Sequence, residues 1–244
     1  MADKHRTPHT PTRRLAAPVA AGGAALALAL GATPAAAASG AVWSSCDRWG
    51  NTSLNGYTLY NNVWGSGAGR QCVSADSGTR WSVDADHPNT SGIKSYPNAT
   101  KVIGKPVDSL SSLKSSYDVT VPAAGDYNSS YDIWDTDHDY EIMLWVNHHG
   151  NVGPLGTPQG RVSLGGHSWD VHKGTNGSNE VFSFLRTSDS SAGSVDILPI
   201  LKWIKNTQGW MGNETIGDVQ FGYEISGSAG GLGFRTNSLT VSGG

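Results

Sequence analysis

Glutamate and cysteine are scarce in this chain. Among 244 residues the only glutamates are Glu141, Glu180, Glu214 and Glu224, and the only cysteines are Cys46 and Cys72. Two thiols cannot by themselves supply a tetrahedral metal site. Charge is also low, at 15% of residues, and acidic groups outnumber basic ones by 20 to 17. No basic face is therefore expected, which argues against a nucleic-acid or anionic-membrane partner. Low charge here does not mean disorder, because nine Trp, eight Tyr and many β-branched residues can build a core. Beyond Ala38 no apolar run is long enough to cross a bilayer as a helix.

The first 38 residues read differently from the rest. Lys4, Arg6, Arg13 and Arg14 stand against Asp3, an Ala- and Leu-rich stretch runs to Leu30, and Ala35 to Ala38 offer small residues at an A-x-A site. This is the pattern of a secretory signal peptide over 1–38. The Arg13-Arg14 pair suits either a twin-arginine signal or a generic basic start. Cleavage after Ala38 removes four basic residues and one acid, which moves the net charge from −3 to −6. The product, 39–244, is expected to be secreted, extracellular and monomeric, with no membrane partner. It is long enough for one well-buried domain, and no linker or repeat marks a second module. An oxidising destination makes a Cys46–Cys72 disulfide the expected state.

Along the mature chain, short segments alternate apolar and polar residues and are separated by Gly, Asn, Ser and Asp. Examples are 57–63, 102–107, 117–121, 131–134, 140–147, 161–164, 168–172, 180–185, 218–223 and 238–241. Many short strands at this spacing predict an all-β sandwich or jelly roll of antiparallel sheets. One stretch reads as helix: Ile197, Ile200, Leu201 and Ile204 share a face, Pro199 falls in the first turn, and Gly209 follows the end. Ser194 or Asp196 is expected to cap it.

With so few glutamates, their placement is informative. Alternation puts Glu141, Met143, Trp145 and Asn147 on one face of a strand and Ile142, Leu144 and Val146 on the other. The second set is core, so the first faces something that suits a carboxylate beside a tryptophan, such as a sugar-binding groove. Likewise Val219, Phe221 and Tyr223 point inward, leaving Glu224 with Gln220 and Asp218. Two strand-borne carboxylates could flank a glycosidic bond, one as nucleophile and one as acid/base. The plainer reading of each is a solvated glutamate on a strand. Glu180 is equally strand-borne, with Phe182 and Phe184, and Glu214 lies in a turn.

A resemblance narrows the choice. Cys46-Asp47-Arg48-Trp49, Asn61-Asn62-Val63-Trp64-Gly65, Ser130-Tyr131-Asp132-Ile133-Trp134, Tyr140-Glu141-Ile142-Met143-Leu144-Trp145, Gly153-Pro154-Leu155-Gly156, Asn176-Gly177 and Val219-Gln220-Phe221-Gly222-Tyr223-Glu224 resemble, in order, the motifs of glycoside hydrolase family 12. The resemblance implies a β-jelly roll of two sheets with a concave substrate groove and one helix. It implies a retaining endo-β-1,4-glucanase, or a xyloglucan-specific one, with no cofactor and a β-1,4-glucan polysaccharide as partner. Position by position, Glu141 matches the nucleophile, Glu224 the acid/base, and Asp132 the aspartate beside the nucleophile. Trp49, Asn62, Trp64, Met143 and Trp145 match groove residues, although Trp49 and Trp64 could also be core. Where the family continues from its acid with Pro and an aromatic, this chain has Ile225-Ser226, which puts contacts on the leaving-group side in doubt.

Asp135-Thr136-Asp137-His138-Asp139 has the look of a calcium loop but lacks Gly at its sixth position, and Val146 stands where a bidentate Glu is needed. His148, His149, His167 and His172 follow no recognisable zinc spacing. No metal site is expected. A non-catalytic carbohydrate-binding jelly roll remains the competing reading, since it would explain the tryptophans without needing three carboxylates.

Overall fold

The computed structural model describes residues 40–243, so the predicted leader lies outside the described residues. The strands are, in chain order, β1 (Trp43–Ser45), β2 (Asn51–Leu54), β3 (Tyr57–Tyr60), β4 (Arg70–Ser77), β5 (Arg80–Asp86), β6 (Asn98–Pro106), β7 (Leu113–Thr120) and β8 (Asp126–Asp135). They continue with β9 (Tyr140–His149), β10 (Thr157–Leu164), β11 (His167–Thr175), β12 (Glu180–Arg186), β13 (Ala192–Asp196), β14 (Thr215–Gly227) and β15 (Leu232–Gly243). One sheet runs β1-β4-β5-β15-β7-β13 and the other β10-β11-β12-β9-β8-β14-β6-β3-β2. The two form the expected jelly-roll sandwich. One pair departs from the antiparallel expectation: β12 lies parallel to β9, with Val181 opposite Glu141. The β10–β11 hairpin intervenes in sequence and occupies the sheet edge, so β12 re-enters beside β9 running the same way.

Alternation explains the core. Ile142, Leu144 and Val146 of β9 and Val219, Phe221 and Tyr223 of β14 are fully buried. They meet the inner face of the six-stranded sheet, where Trp81 packs on Tyr223 at 5.4 Å and Tyr117 on Phe221 at 5.5 Å between ring centroids. The short β1, β2 and β13 and the Ser- and Asp-rich β4 and β5 carried too few apolar positions to read as strands. They are held by ladder hydrogen bonds to longer partners.

The helix is shorter and less regular than its pattern suggests. The single α-helix among the described residues, α1 (Leu198–Lys202), runs into a wider π turn over 203–208, and Gly209 closes it at φ +63, a left-handed conformation that residues with a side chain rarely adopt. Ile197, Ile200, Leu201 and Ile204 are buried as predicted. Neither expected cap forms: Ser194 and Asp196 are in β13, the N-cap is Ile197, and no side chain caps it. Pro199 in the first turn has no N–H to satisfy, which lowers the need for a cap.

Cys46 and Cys72 are disulfide-bonded. The bond anchors the 46–50 turn to β4, and that turn grips the segment after β3. Asn61 Nδ2 donates to Asp47 O at 2.8 Å, Val63 N–H to Arg48 O at 2.9 Å, and Arg48 Nε to Val63 O at 3.0 Å. Asn62 and Trp64 sit between and beside these anchors.

Candidate active site

A cleft of about 500 Å³ lies on the face of the nine-stranded sheet turned away from the core. Its floor follows from register. Glu141 is opposite Trp134, and Asp132 lies between Met143 on one side and Gln220 on the other. Glu224 pairs with Asn128. β8 therefore runs between the two glutamate-bearing strands. Asp132 occupies a level between those of Glu141 and Glu224, and all three carboxyls line the same cleft.

Each carboxyl receives one side-chain donor. Asn128 Nδ2 donates to Glu224 Oε2 at 2.5 Å, Asn179 Nδ2 to Glu141 Oε2 at 3.0 Å, and Trp134 Nε1 to Asp132 Oδ2 at 3.0 Å. These donors do not offset the loss of water. Burial, reinforced by the charge on Glu141, pushes the Glu224 carboxyl up from 4.5 to about 7. Burial raises Asp132 well above the usual carboxylate range, with Glu141 adding to it, and burial also raises Glu141, opposed by the Asn179 amide. The cleft thus holds one carboxyl poised to carry a proton near neutral pH and two more that share a titration. Tyr96, whose hydroxyl donates to Ser130 O at 3.1 Å, is kept firmly neutral by burial and by Asp132.

Of the predicted groove residues, Asn62, Trp64, Met143 and Trp145 line the cleft. Trp64 is 47% exposed, so the core reading does not hold for it, whereas Met143 and Trp145 are largely buried and pack with Val181 in a small cluster on the cleft side of the sheet, separate from the main core. Asn62 and His138, both at the cleft, take left-handed backbone conformations at φ +45 and +61, which Asn and His tolerate better than most residues. Trp49 is 65% exposed on the turn after Cys46, which excludes the core reading, and it lies beyond the residues that line this cleft. Its turn is pinned by the disulfide and by the backbone bonds to the segment after β3.

Among the other lining residues, Gln220 shares the Glu224 face as its alternation predicts, and Trp134 follows in the same way from Asp132. Tyr96, His138 and Leu155 lie in non-repeating segments with no period to expose them, and Asn176 comes from the turn whose Asn179 donates to Glu141. Glu180, in contrast, sits outside the cleft, half-exposed and paired with Lys173 at 3.5 Å. Glu214 accepts from the Gly212 N–H in its own turn. The Asp135 carboxylate accepts the N–H groups of Asp137 and Tyr140 at 3.2 and 2.8 Å, so the acidic run is a turn built around an aspartate.

The Ile225-Ser226 departure also has a structural account. Ile225 is fully buried, and its N–H donates to Ser95 O at 3.0 Å, a bond proline could not make. Just before it, Gly222 is required: a Cβ there would lie 2.1 Å from Pro97 O. Together these let the 93–97 segment lie close against β14 and bring Tyr96 and Ile93 to the cleft wall.

Comparison with known proteins follows the same outline. A family model described as glycosyl hydrolase family 12 matches residues 55–242. The probable xyloglucan-specific endo-β-1,4-glucanase A of Aspergillus terreus is 32% identical over 216 residues, covering 80% of this chain and 86% of that protein. Among solved structures, the xyloglucanase domain of NopAA, a type three effector from Sinorhizobium fredii, in complex with cellobiose, is 41% identical with a TM-score of 0.81, over 83% of this chain and 99% of that one. The endo-1,4-β-glucanase CelB2 is 32% identical with a TM-score of 0.75, over 82% and 99%.

Proposed function

The chain belongs to glycosyl hydrolase family 12, and from that premise we propose that it is a secreted, retaining endo-β-1,4-glucanase with Glu141 as nucleophile and Glu224 as acid/base. The observation that carries this reading is the division of labour among the cleft carboxyls: burial pushes the Glu224 carboxyl up to about 7, while Glu141 has Asp132 beside it. In the first step Glu224 donates its proton to the glycosidic oxygen as the Glu141 carboxylate attacks the anomeric carbon. The C–O bond breaks, the leaving chain departs as an alcohol, and a glycosyl ester forms on Glu141. In the second step ionised Glu224 takes a proton from water, which attacks the same carbon and releases Glu141, with net retention. Asp132, buried and raised, supplies a carboxyl proton that can stabilise Glu141 as its charge returns. Trp64 offers an apolar ring for a sugar face, and Asn62 a polar group beside it.

An open cleft across a sheet suits cutting within a polymer. A second reading, preference for xylose-branched glucan, is favoured by the names of the Aspergillus terreus and Sinorhizobium fredii relatives. A fall in viscosity of carboxymethylcellulose or xyloglucan tests endo-action, and kcat/KM on barley β-glucan against tamarind xyloglucan decides the substrate. Cleavage of neither would leave the carbohydrate-binding reading. Secretion rests on the 1–38 pattern; an N-terminus at or near Ser39 in the exported protein supports it, and one retaining Leu26 to Leu30 refutes it.

A further inference from the structure

The donors to the three cleft carboxyls differ in origin. Trp134 and Asn128 reach Asp132 and Glu224 from β8, inside the sheet. Glu141 takes its donor from Asn179, which belongs to the turn between β11 and β12. Residues 175–178 of that turn are exposed, yet Asn179 is only 8% exposed. The turn is organised around it. Asn176 Oδ1 accepts the N–H groups of Ser178 and Asn179 at 2.9 and 3.1 Å. Thr175 Oγ1 donates to Asn179 O at 2.8 Å and accepts the Gly177 N–H at 3.0 Å. Next to it, Glu180 N–H donates to Asp139 O at 2.9 Å, tying the turn to the start of the nucleophile strand. The Asn179 amide makes its bond to Glu141 Oε2 and a longer one, 3.4 Å, to Glu180 O.

We propose that Asn179 is a positioning residue for the glycosidase reaction, whose amide fixes the Glu141 carboxylate and keeps the negative charge of the Asp132–Glu141 pair on Glu141. The inference rests on the assignment of Glu141 as nucleophile. Neighbouring carboxyls in a poorly solvated site compete for one charge, which settles where the donors favour it. Glu141 faces Asp132 from β8, Glu224 from β14 and Tyr96 from the 93–97 segment, while Asp218 of β14 acts on Asp132. His138 lines the cleft from the β8–β9 turn, and beyond the 175–179 turn Lys173 is paired with Glu180. Among the described residues the Asn179 amide is the one side-chain hydrogen-bond donor to Glu141. It opposes the upward push of burial on that group.

The test is kcat/KM on soluble β-glucan across pH for the wild type, Asn179→Ala and Asn179→Asp. In Asn179→Ala the acid limb is expected to move up by about one pH unit, a roughly tenfold loss on the acid side with the plateau held within a few fold. In Asn179→Asp it moves further, because another carboxylate then faces Glu141. An equal loss at every pH, or limbs that coincide, overturns the inference. Thermal melting checks that the variants fold, and Asn179→Ser, with a shorter donor, is expected to lie between wild type and Ala. Glu141→Gln is measured alongside. If it is inactive while the Asn179 limbs do not move, the inference alone fails; if it is active, the nucleophile assignment fails and takes the inference with it.

Discussion

Replacing Glu224 by Gln should abolish turnover and, at neutral or higher pH, make the protein more stable. Folding lifts the Glu224 carboxyl from 4.5 to about 7. Because the folded value is above the unfolded one, the fold favours the protonated acid. Below 4.5 both states are protonated and nothing is lost; as pH rises from 4.5 to about 7 the unfolded chain ionises first and stability falls, and above about 7 the loss is complete. The full displacement corresponds to about 3 kcal/mol at 1.36 kcal/mol per unit. Glu224 keeps part of its surface in an open cleft, so screening brings the expected figure to about 1–3 kcal/mol. For a domain of this size that is a rise of roughly 2 to 12 °C in Tm. Glutamine keeps a carbonyl oxygen for the Asn128 amide and carries no charge. Calorimetric Tm for wild type and Glu224→Gln from pH 4 to 9 should coincide at the acid end, diverge between 4.5 and 7, and run parallel above. A variant no more stable than wild type at pH 8, or a gap that does not grow with pH, refutes the reasoning.

Glu141→Gln should cut turnover by orders of magnitude with ligand binding retained, azide should partly rescue Glu141→Ala with a product of inverted configuration, and Glu180→Gln should behave as wild type; an equally damaging Glu180→Gln would reverse the assignment. The native protein should show no free thiol, and reduction should lower its stability by about 3–4 kcal/mol in the chain-entropy model, read from urea unfolding with and without reductant. His87, fully buried, accepts the Gly69 N–H on Nδ1 at 3.0 Å and lies 2.9 Å from Gln71 Oε1 through Nε2, so it is held neutral. Burial, then Lys94, lower its pKa; stability is intact above 6.5 and should fall as pH drops from there towards the lowered value, and His87→Asn should flatten that slope between pH 7 and 5.

How much of this was legible depends on which residues carry a period. β9 and β14 alternate cleanly, so their core and cleft faces, Glu141 and Glu224 included, follow from side-chain direction alone. The helix face was legible for the same reason, but its cap was not, because Ser194 and Asp196 are committed to the ladder with β7. Asn179 and Tyr96 lie in segments shaped by their own turn and bridge bonds, and only tertiary contact reveals that they face carboxyls. The parallel β9–β12 pair was invisible because alternation carries no information on strand direction.

The central strand β8 concentrates the buried polar side chains of the nine-stranded sheet. Asn128, Ser130 and Asp132 lie within a few residues of one another, all buried, and alternation sets them on the face of the strand that carries the cleft. Taking polar groups out of water costs free energy relative to burying apolar side chains. On the opposite face of the same strand, Tyr127, Tyr131 and Ile133 are fully buried, with Tyr131 packed on Phe221 at 4.8 Å and Tyr127 on Phe234 at 5.0 Å. Alternation therefore lets one strand carry the site on one side and the core on the other, without either set displacing the other. It also explains why removing a cleft charge should stabilise: the packing that tolerates the charge is on the far side of the sheet and is unchanged by the substitution. A stabilising effect confined to pH values where the carboxyl is ionised is then the signature of a site held against its own electrostatics, and a merely solvated glutamate on a strand would not produce it.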